Sequence, residues 1–84
     1  MERRLNISRR AFTRFIDRCK PDDSTQDIIL VALLQLVHSP ELGYRVYFVT
    51  PPLFQIRIPP YVANYEFNFE IVTVLFIGIV GKCP

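Results

Sequence analysis

The sequence predicts an α+β domain: two N-terminal helices followed by a small antiparallel sheet of about three strands. Three observations carry this. Apolar residues recur at helical spacing over residues 5–19. The run Ile28 to Val37 holds a single polar side chain, Gln35. From Tyr44 onward the apolar period falls to two, in segments punctuated by proline pairs.

The first helix is read over residues 5–19. At 100° per residue, Leu5, Ser8, Phe12, Phe15, Ile16 and Cys19 fall on one face, with Arg10, Arg14, Asp17 and Arg18 mostly opposite. Asn6 or Ser8 suits the N-terminal cap, and Lys20 followed by Pro21 suits the stop. Phe12, Phe15 and Ile16 are expected to pack inward. The second helix is read over residues 24–38. Asp23 with Gln26, or Ser24 with Asp27, has the spacing of a capping arrangement. Ile28, Ile29 and Val31 are good strand formers, so a strand is the alternative for its first half. A segment this apolar must be covered by the rest of the chain, a partner or lipid.

Residues 44–80 form the strand region. Tyr44 to Val49 reads as one strand. Leu53 to Ile58 alternates, with Phe54, Ile56 and Ile58 on one side and Gln55 and Arg57 on the other. Pro51-Pro52 and Pro59-Pro60 flank it and cannot donate to a ladder, which predicts an edge strand or an exchanged arm. Leu53, Phe54, Ile56 and Ile58 are therefore the expected protein interface. Tyr65 to Ile71 alternates most clearly, with Tyr65, Phe67, Phe69 and Ile71 inward and Glu66, Asn68 and Glu70 outward. Val72 to Val80 is apolar apart from Thr73 and Gly78. Its β-branched content favours strand over a short buried helix.

Eighty-four residues suggest one small domain, 1–84, of marginal stability. Half the residues are hydrophobic and 21% are charged, too apolar for a disordered chain and rich for a lone domain. A true span needs about 20 apolar residues, and both apolar runs are about half that length. The net charge of +2 is uneven. Residues 1–20 hold seven basic side chains against two acids, and the remainder holds three against six. Arginines from Arg9 onward interrupt any secretory apolar run, so an intracellular address is expected, cytoplasmic or nuclear. The basic helix also suits mitochondrial targeting, with Asp17 as its blemish. Cys19 and Cys83 match no zinc spacing and are expected as free thiols in a reducing compartment.

No catalytic, cofactor or metal motif stands out. His38, the only histidine, sits where an imidazole meets the last helix carbonyls. Asp22, Asp23 and Asp27 read as helix-start acids, not as a calcium loop. Glu66 and Glu70 share a face but lie roughly 13 Å apart along a strand, too far for a paired-carboxylate site. Tyr44, Tyr47 and Phe48 beside Arg45 invite comparison with RNA-stacking sheets, although core packing accounts for most of them.

The arginine face, Arg3, Arg10, Arg14 and Arg18, is the one constellation that points to a partner. It suits a protein contact, nucleic-acid phosphates or an anionic membrane. With high apolar content and no catalytic motif, the expected function is a small non-enzymatic interaction or assembly subunit. It would be self-associating or bound in a larger complex, as a viral accessory protein or a subunit of a larger machine would be. The alternatives are a nucleic-acid-binding protein using the arginine face, or a peripheral membrane protein anchored by the same helix.

Overall fold

The computed structural model of the chain describes residues 3–46, 50 and 52–83. Its elements run β1 (Arg4–Ile7), α1 (Arg9–Cys19), α2 (Asp23–Gln35), a short 3-10 turn (Pro40–Leu42), β2 (Tyr44–Val46), β3 (Leu53–Ile58), β4 (Tyr61–Phe67) and β5 (Ile71–Gly78). The α+β class holds. The sheet, however, has five strands in the order β1-β5-β4-β3-β2, with β1 parallel to β5 and every other pair antiparallel. The expectation of three purely antiparallel strands is corrected on both counts.

The extra strand is β1. Leu5 and Ile7 pack against the core, while Arg4 and Asn6 are exposed. Four residues of period two merge into the helical spacing that follows, so residues 5–19 read as one helix. Ser8 separates the two elements: its side chain accepts from the Ala11 N–H at 3.4 Å, and its own N–H donates to the Val74 carbonyl at 2.9 Å. α1 buries Ala11 and Phe15. Lys20 closes it in the left-handed region at φ 48°, with its N–H on Ile16. Phe12, expected inside, is 44% exposed.

α2 begins at Asp22, whose carboxylate accepts from the Thr25 N–H at 2.7 Å. The expected caps lay one or two residues downstream. Ile29 and Leu33 are buried, followed by Leu36 and Val37 beyond the helix end. Ile28, Leu30, Val31 and Leu34 are exposed. The chain itself thus covers only one side of this apolar helix. No helix among the described residues is long and apolar enough to cross a membrane.

Phe15, Ile29, Leu33 and Leu36 close over Ile58, Ala63, Tyr65, Val72, Val74 and Ile77. Both helices therefore serve one face of the sheet. The Tyr65 hydroxyl, in the middle of this core, donates to the Pro40 carbonyl and accepts from the Gly43 N–H at 3.0 Å. It pins the 3-10 turn to the sheet. A Cβ at Gly43 would lie 2.8 Å from the Gln55 carbonyl and closer still to that hydroxyl, so only glycine fits.

Two further expectations change here. β3 lies between β2 and β4, so Leu53–Ile58 is not an edge; the edges are β1 and β2. The proline pair at its end supplies the turn into β4, where Ile58 pairs with Tyr61. And Tyr65–Ile71 is not one strand. Asn68 reverses the chain, its side-chain oxygen accepting from the N–H groups of Glu70 at 2.8 Å and Ile71 at 3.0 Å. Phe69, expected inside, caps this turn at 88% exposure. The strand reading of the following apolar run is correct for Ile71–Gly78. Its register with β4 slips by one residue at Leu75, a bulge.

The cysteines are not free thiols. Cys19 and Cys83 form a disulfide across a separation of 64 residues. It ties the end of α1 to a tight turn after β5, in which the Ile79 N–H donates to Cys83 and the Cys83 N–H donates to Ile79. Gly81 supplies the positive φ of that turn, 81°.

Candidate nucleic-acid interface

With both helices on one side, the other face of the sheet is free of helix. Cross-strand register fixes what it presents, because residues directly opposite share a face. Tyr44 pairs with Gln55, Gln55 with Asn64, and Asn64 with Phe76, which makes a row across four strands. At about 4.8 Å per strand the row spans roughly 14 Å. Beside it, Glu66 pairs with Thr73 and Thr73 with Asn6. The Gln55 amide donates to the Asn64 side chain at 3.0 Å, so these two amides are fixed in orientation. The Arg57 guanidinium lies 5.8 Å from the centre of the Tyr44 ring, which is 70% exposed. An exposed ring, a cation and oriented amides on a sheet are the groups that stack bases and read their edges.

A hollow of about 500 Å³ opens at the Phe67–Ile71 end of the sheet. Its wall includes Arg45, Phe54, Glu66, Asn68 and Thr73. It wraps the end of the sheet: Arg45, opposite Phe54, comes from the helix side, and Glu66, opposite Thr73, from the open side. Two further hollows, each of about 420 Å³, run along α1. One is lined by Arg10, Arg14, Leu75 and Phe76, the other by Arg18, Phe76, Val80 and Lys82. They share Phe76, the last residue of the transverse row. β1 pairs only as far as Val74, so α1 borders β5 beyond that point.

The expected site residues divide. Arg10, Arg14 and Arg18 are exposed and share this border. Arg3 does not join them. It precedes β1, its Nε donating to the Asn68 carbonyl at 2.6 Å and its guanidinium lying 5.7 Å from the Phe67 ring centre. Of the expected interface residues, Ile58 is buried and Phe54 and Ile56 pack against the core, while Leu53 is half-buried. Phe54 lies against both Tyr65 and Phe67, with ring centres 5.8 and 5.0 Å apart. The apolarity of Phe54, Ile56 and Ile58 serves the protomer interior.

Asp22 is the cap of α2, and its hydrogen bonds from Thr25 hold its carboxyl below the ordinary value of 3.8. Among the described residues no group of three or more metal-ligating side chains gathers. His38 is exposed just beyond α2. Tyr47 and Phe48 lie outside the described residues. Sequence reasoning missed Asn64, Phe76 and Lys82. Asn64 and Phe76 join the row only through register, and Lys82 lines one hollow with Arg18 from the turn that the disulfide ties to α1.

No protein-family model matches the chain, and neither does any curated protein sequence. Among solved structures it resembles the E. coli toxin RelE, a double mutant in the free state. The TM-score is 0.73 at 18% identity, over 96% of this chain and 86% of that one. At this identity the likeness is one of fold. It overturns the expectation of a purely non-enzymatic interaction or accessory subunit, and with it the expectation that the chain is not an enzyme. The alternative drawn from the arginine face, a nucleic-acid-binding protein, suits this fold better.

Proposed function

We propose that this chain is a ribonuclease toxin of the RelE kind, which engages messenger RNA at the ribosome and cuts its backbone. The observation that carries the proposal is the fold likeness along nearly the whole chain to RelE, a ribosome-associated mRNA endoribonuclease. The helix-free polar sheet face and the hollow holding Arg45 and Glu66 support it.

RNA carries its own nucleophile, the 2′-hydroxyl. Removal of that proton lets the oxygen attack the adjacent phosphorus and expel the 5′ oxygen of the next nucleotide. Glu66 is the proton acceptor in this scheme. Arg45 offers a planar donor pair to the phosphoryl oxygens as negative charge builds. Tyr44 and Arg57 hold a neighbouring base by stacking. The test is end-mapping of a messenger incubated with the purified chain, with and without ribosomes. New 5′ ends are expected with wild type and absent with Glu66→Gln of unchanged circular dichroism. No cleavage by wild type in either condition refutes the proposal.

RelE-like toxins engage an antitoxin protein, and a protein partner is proposed here as well. The exposed side of α2, with Ile28, Leu30, Val31 and Leu34, is the surface that favours one. RelE is a bacterial cytoplasmic protein. An intracellular, cytoplasmic site of action is proposed accordingly, and the nuclear and mitochondrial addresses gain no support. The membrane alternative also loses ground, since Phe15 and Ile16 of α1 are engaged in the core and not available to lipid.

A further inference from the structure

The border between α1 and β5 holds cations that the cleavage scheme does not use. Arg10, Arg14 and Arg18 are spaced by four residues, which sets them about 6 Å apart along the helix axis. All three are exposed. Lys82 extends the line from the far side of the second hollow. Asp17 is the only acid on α1. Between the cations lies apolar and aromatic surface, Leu75, Phe76 and Val80. A row of cations with no ion pair among the described residues, flanking an aromatic strip, is built for the phosphates and bases of a single strand.

The fourth cation depends on a covalent bond. Arg18 precedes Cys19 in sequence and Lys82 precedes Cys83, so the disulfide joins the neighbours of the two cations, with its Cα atoms 5.3 Å apart. Nothing else in the sequence relates residues 18 and 82. A dithiol reductant breaks this Sγ–Sγ bond. Each sulfur gains one electron and one proton, and the reductant loses both and closes to its own disulfide. The turn stays closed by its Ile79–Cys83 hydrogen bonds, but its covalent tie to the end of α1 is gone, so the distance between Lys82 and Arg18 is no longer fixed.

We infer that the α1–β5 border is a second RNA site, contacting the phosphate backbone outside the cutting hollow, and that the Cys19–Cys83 disulfide sets its strength by holding Lys82 in line. This deepens the RNA-cleaving reading and rests on it for the identity of the ligand. In a reducing cytoplasm the bond opens, and under oxidation it closes, so the site tightens on oxidation.

The test is fluorescence anisotropy of a labelled 2′-O-methyl oligonucleotide, which the 2′-hydroxyl chemistry does not cut. It compares oxidised protein with protein treated with dithiothreitol. In 0.1 M monovalent salt one lost phosphate contact on a single strand weakens binding about fivefold. Reduction of wild type is expected to do this, and so is Lys82→Gln in the oxidised state. Reduction of the Lys82→Gln protein is expected to add little. Arg10→Gln, Arg14→Gln and Arg18→Gln together are expected to cost about a hundredfold and to flatten the salt slope by about two. Circular dichroism confirms that each sample is folded; a reduced protein that unfolds overturns the gate, because binding is then lost with the fold, and oxidised Lys82→Gln still tests the contact. Equal affinity of Lys82→Gln and wild type overturns the gate. Unchanged binding by the triple variant overturns the site, as does preferential binding of the wild type to phosphatidylserine vesicles or to an acidic peptide. Cleavage by wild type with an unaltered triple variant removes this site alone, whereas loss of cleavage in Glu66→Gln tests the cutting hollow alone.

Discussion

α1 and α2 cover the same sheet face, yet they resolve the burial problem in opposite ways. α1 is divided cleanly: Ala11 and Phe15 go inside and the arginines stay in water. α2 has no polar residue to divide between Ile28 and Leu34. It buries Ile29 and Leu33 and leaves Ile28, Leu30, Val31 and Leu34 outside. A helix can show only one stripe to a single sheet layer. Apolar residues beyond that stripe remain exposed however hydrophobic they are. For α1 the sequence pattern places Phe15 and Ile16 correctly, while Ala11 takes the buried place expected of Phe12. For α2 the pattern marks a surface in need of a partner and cannot say which side is internal.

Substitutions inside each stripe carry the largest effect. Phe15→Ala in α1 is expected to cost about 3–5 kcal/mol and Leu33→Ala in α2 about 2–5 kcal/mol. Val31→Ala, on the open side of α2, should stay within about 0.5 kcal/mol for the isolated chain. Denaturant melts measure all three. A Val31→Ala loss as large as that of Leu33→Ala would mean that α2 is covered on both sides, by a second copy in solution.

The two helices are also anchored differently at their C-terminal ends. α1 is held covalently through Cys19, and closing a loop of this length is worth about 4 kcal/mol on the chain-entropy account. Cys19→Ser with Cys83→Ser is expected to lower the unfolding midpoint by a corresponding amount, provided wild type is measured oxidised. The segment after α2 is held by the Tyr65 hydroxyl instead. Tyr65→Phe strands the Pro40 carbonyl and the Gly43 N–H, at a cost of about 1–3 kcal/mol. Burial, the largest influence, raises the Tyr65 pKa above its ordinary value of 10.0. The unfolded chain therefore ionises first, and wild type loses stability as pH rises through that value. Stability curves from pH 9 to 11 should show this loss in wild type and not, from this group, in Tyr65→Phe.

The smallest effect concerns how the helices start. Ser8 caps α1 without charge, whereas Asp22 caps α2 with a carboxylate whose pKa is lowered by Thr25. A lowered value means that the Asp22 contribution is present above the ordinary carboxylate pKa of 3.8 and fades as pH falls through the folded value. Asp22→Asn keeps the cap and should remove this part of the acid dependence, measured as a flatter midpoint between pH 4 and pH 2. An unchanged acid slope would show that the Asp22 cap is not formed in solution.

What the sequence determined alone was local. Side-chain period identified most of the α1 stripe, the β3 alternation, the strand character of Ile71–Gly78 and the exposure of Arg10, Arg14 and Arg18 but not the place of Arg3, because each follows from residues within one or two turns of one another. Even here short elements escaped: the four residues of β1 carry too few repeats to separate from the helix after them. The alternation that ran from Tyr65 through Phe69 was a misleading local signal, because the Asn68 turn reverses the chain with side-chain hydrogen bonds that periodicity does not register. What only the tertiary structure decided was adjacency. The pairing of β2 with β3 moved β3 inward, the parallel pairing of β1 with β5 made β1 an edge, register assembled the Tyr44–Gln55–Asn64–Phe76 row, and the disulfide tied the Lys82 turn to the end of α1. These relations join residues far apart along the chain. They are fixed by which surfaces bury one another, a property of the assembled sheet and helices and of no single segment.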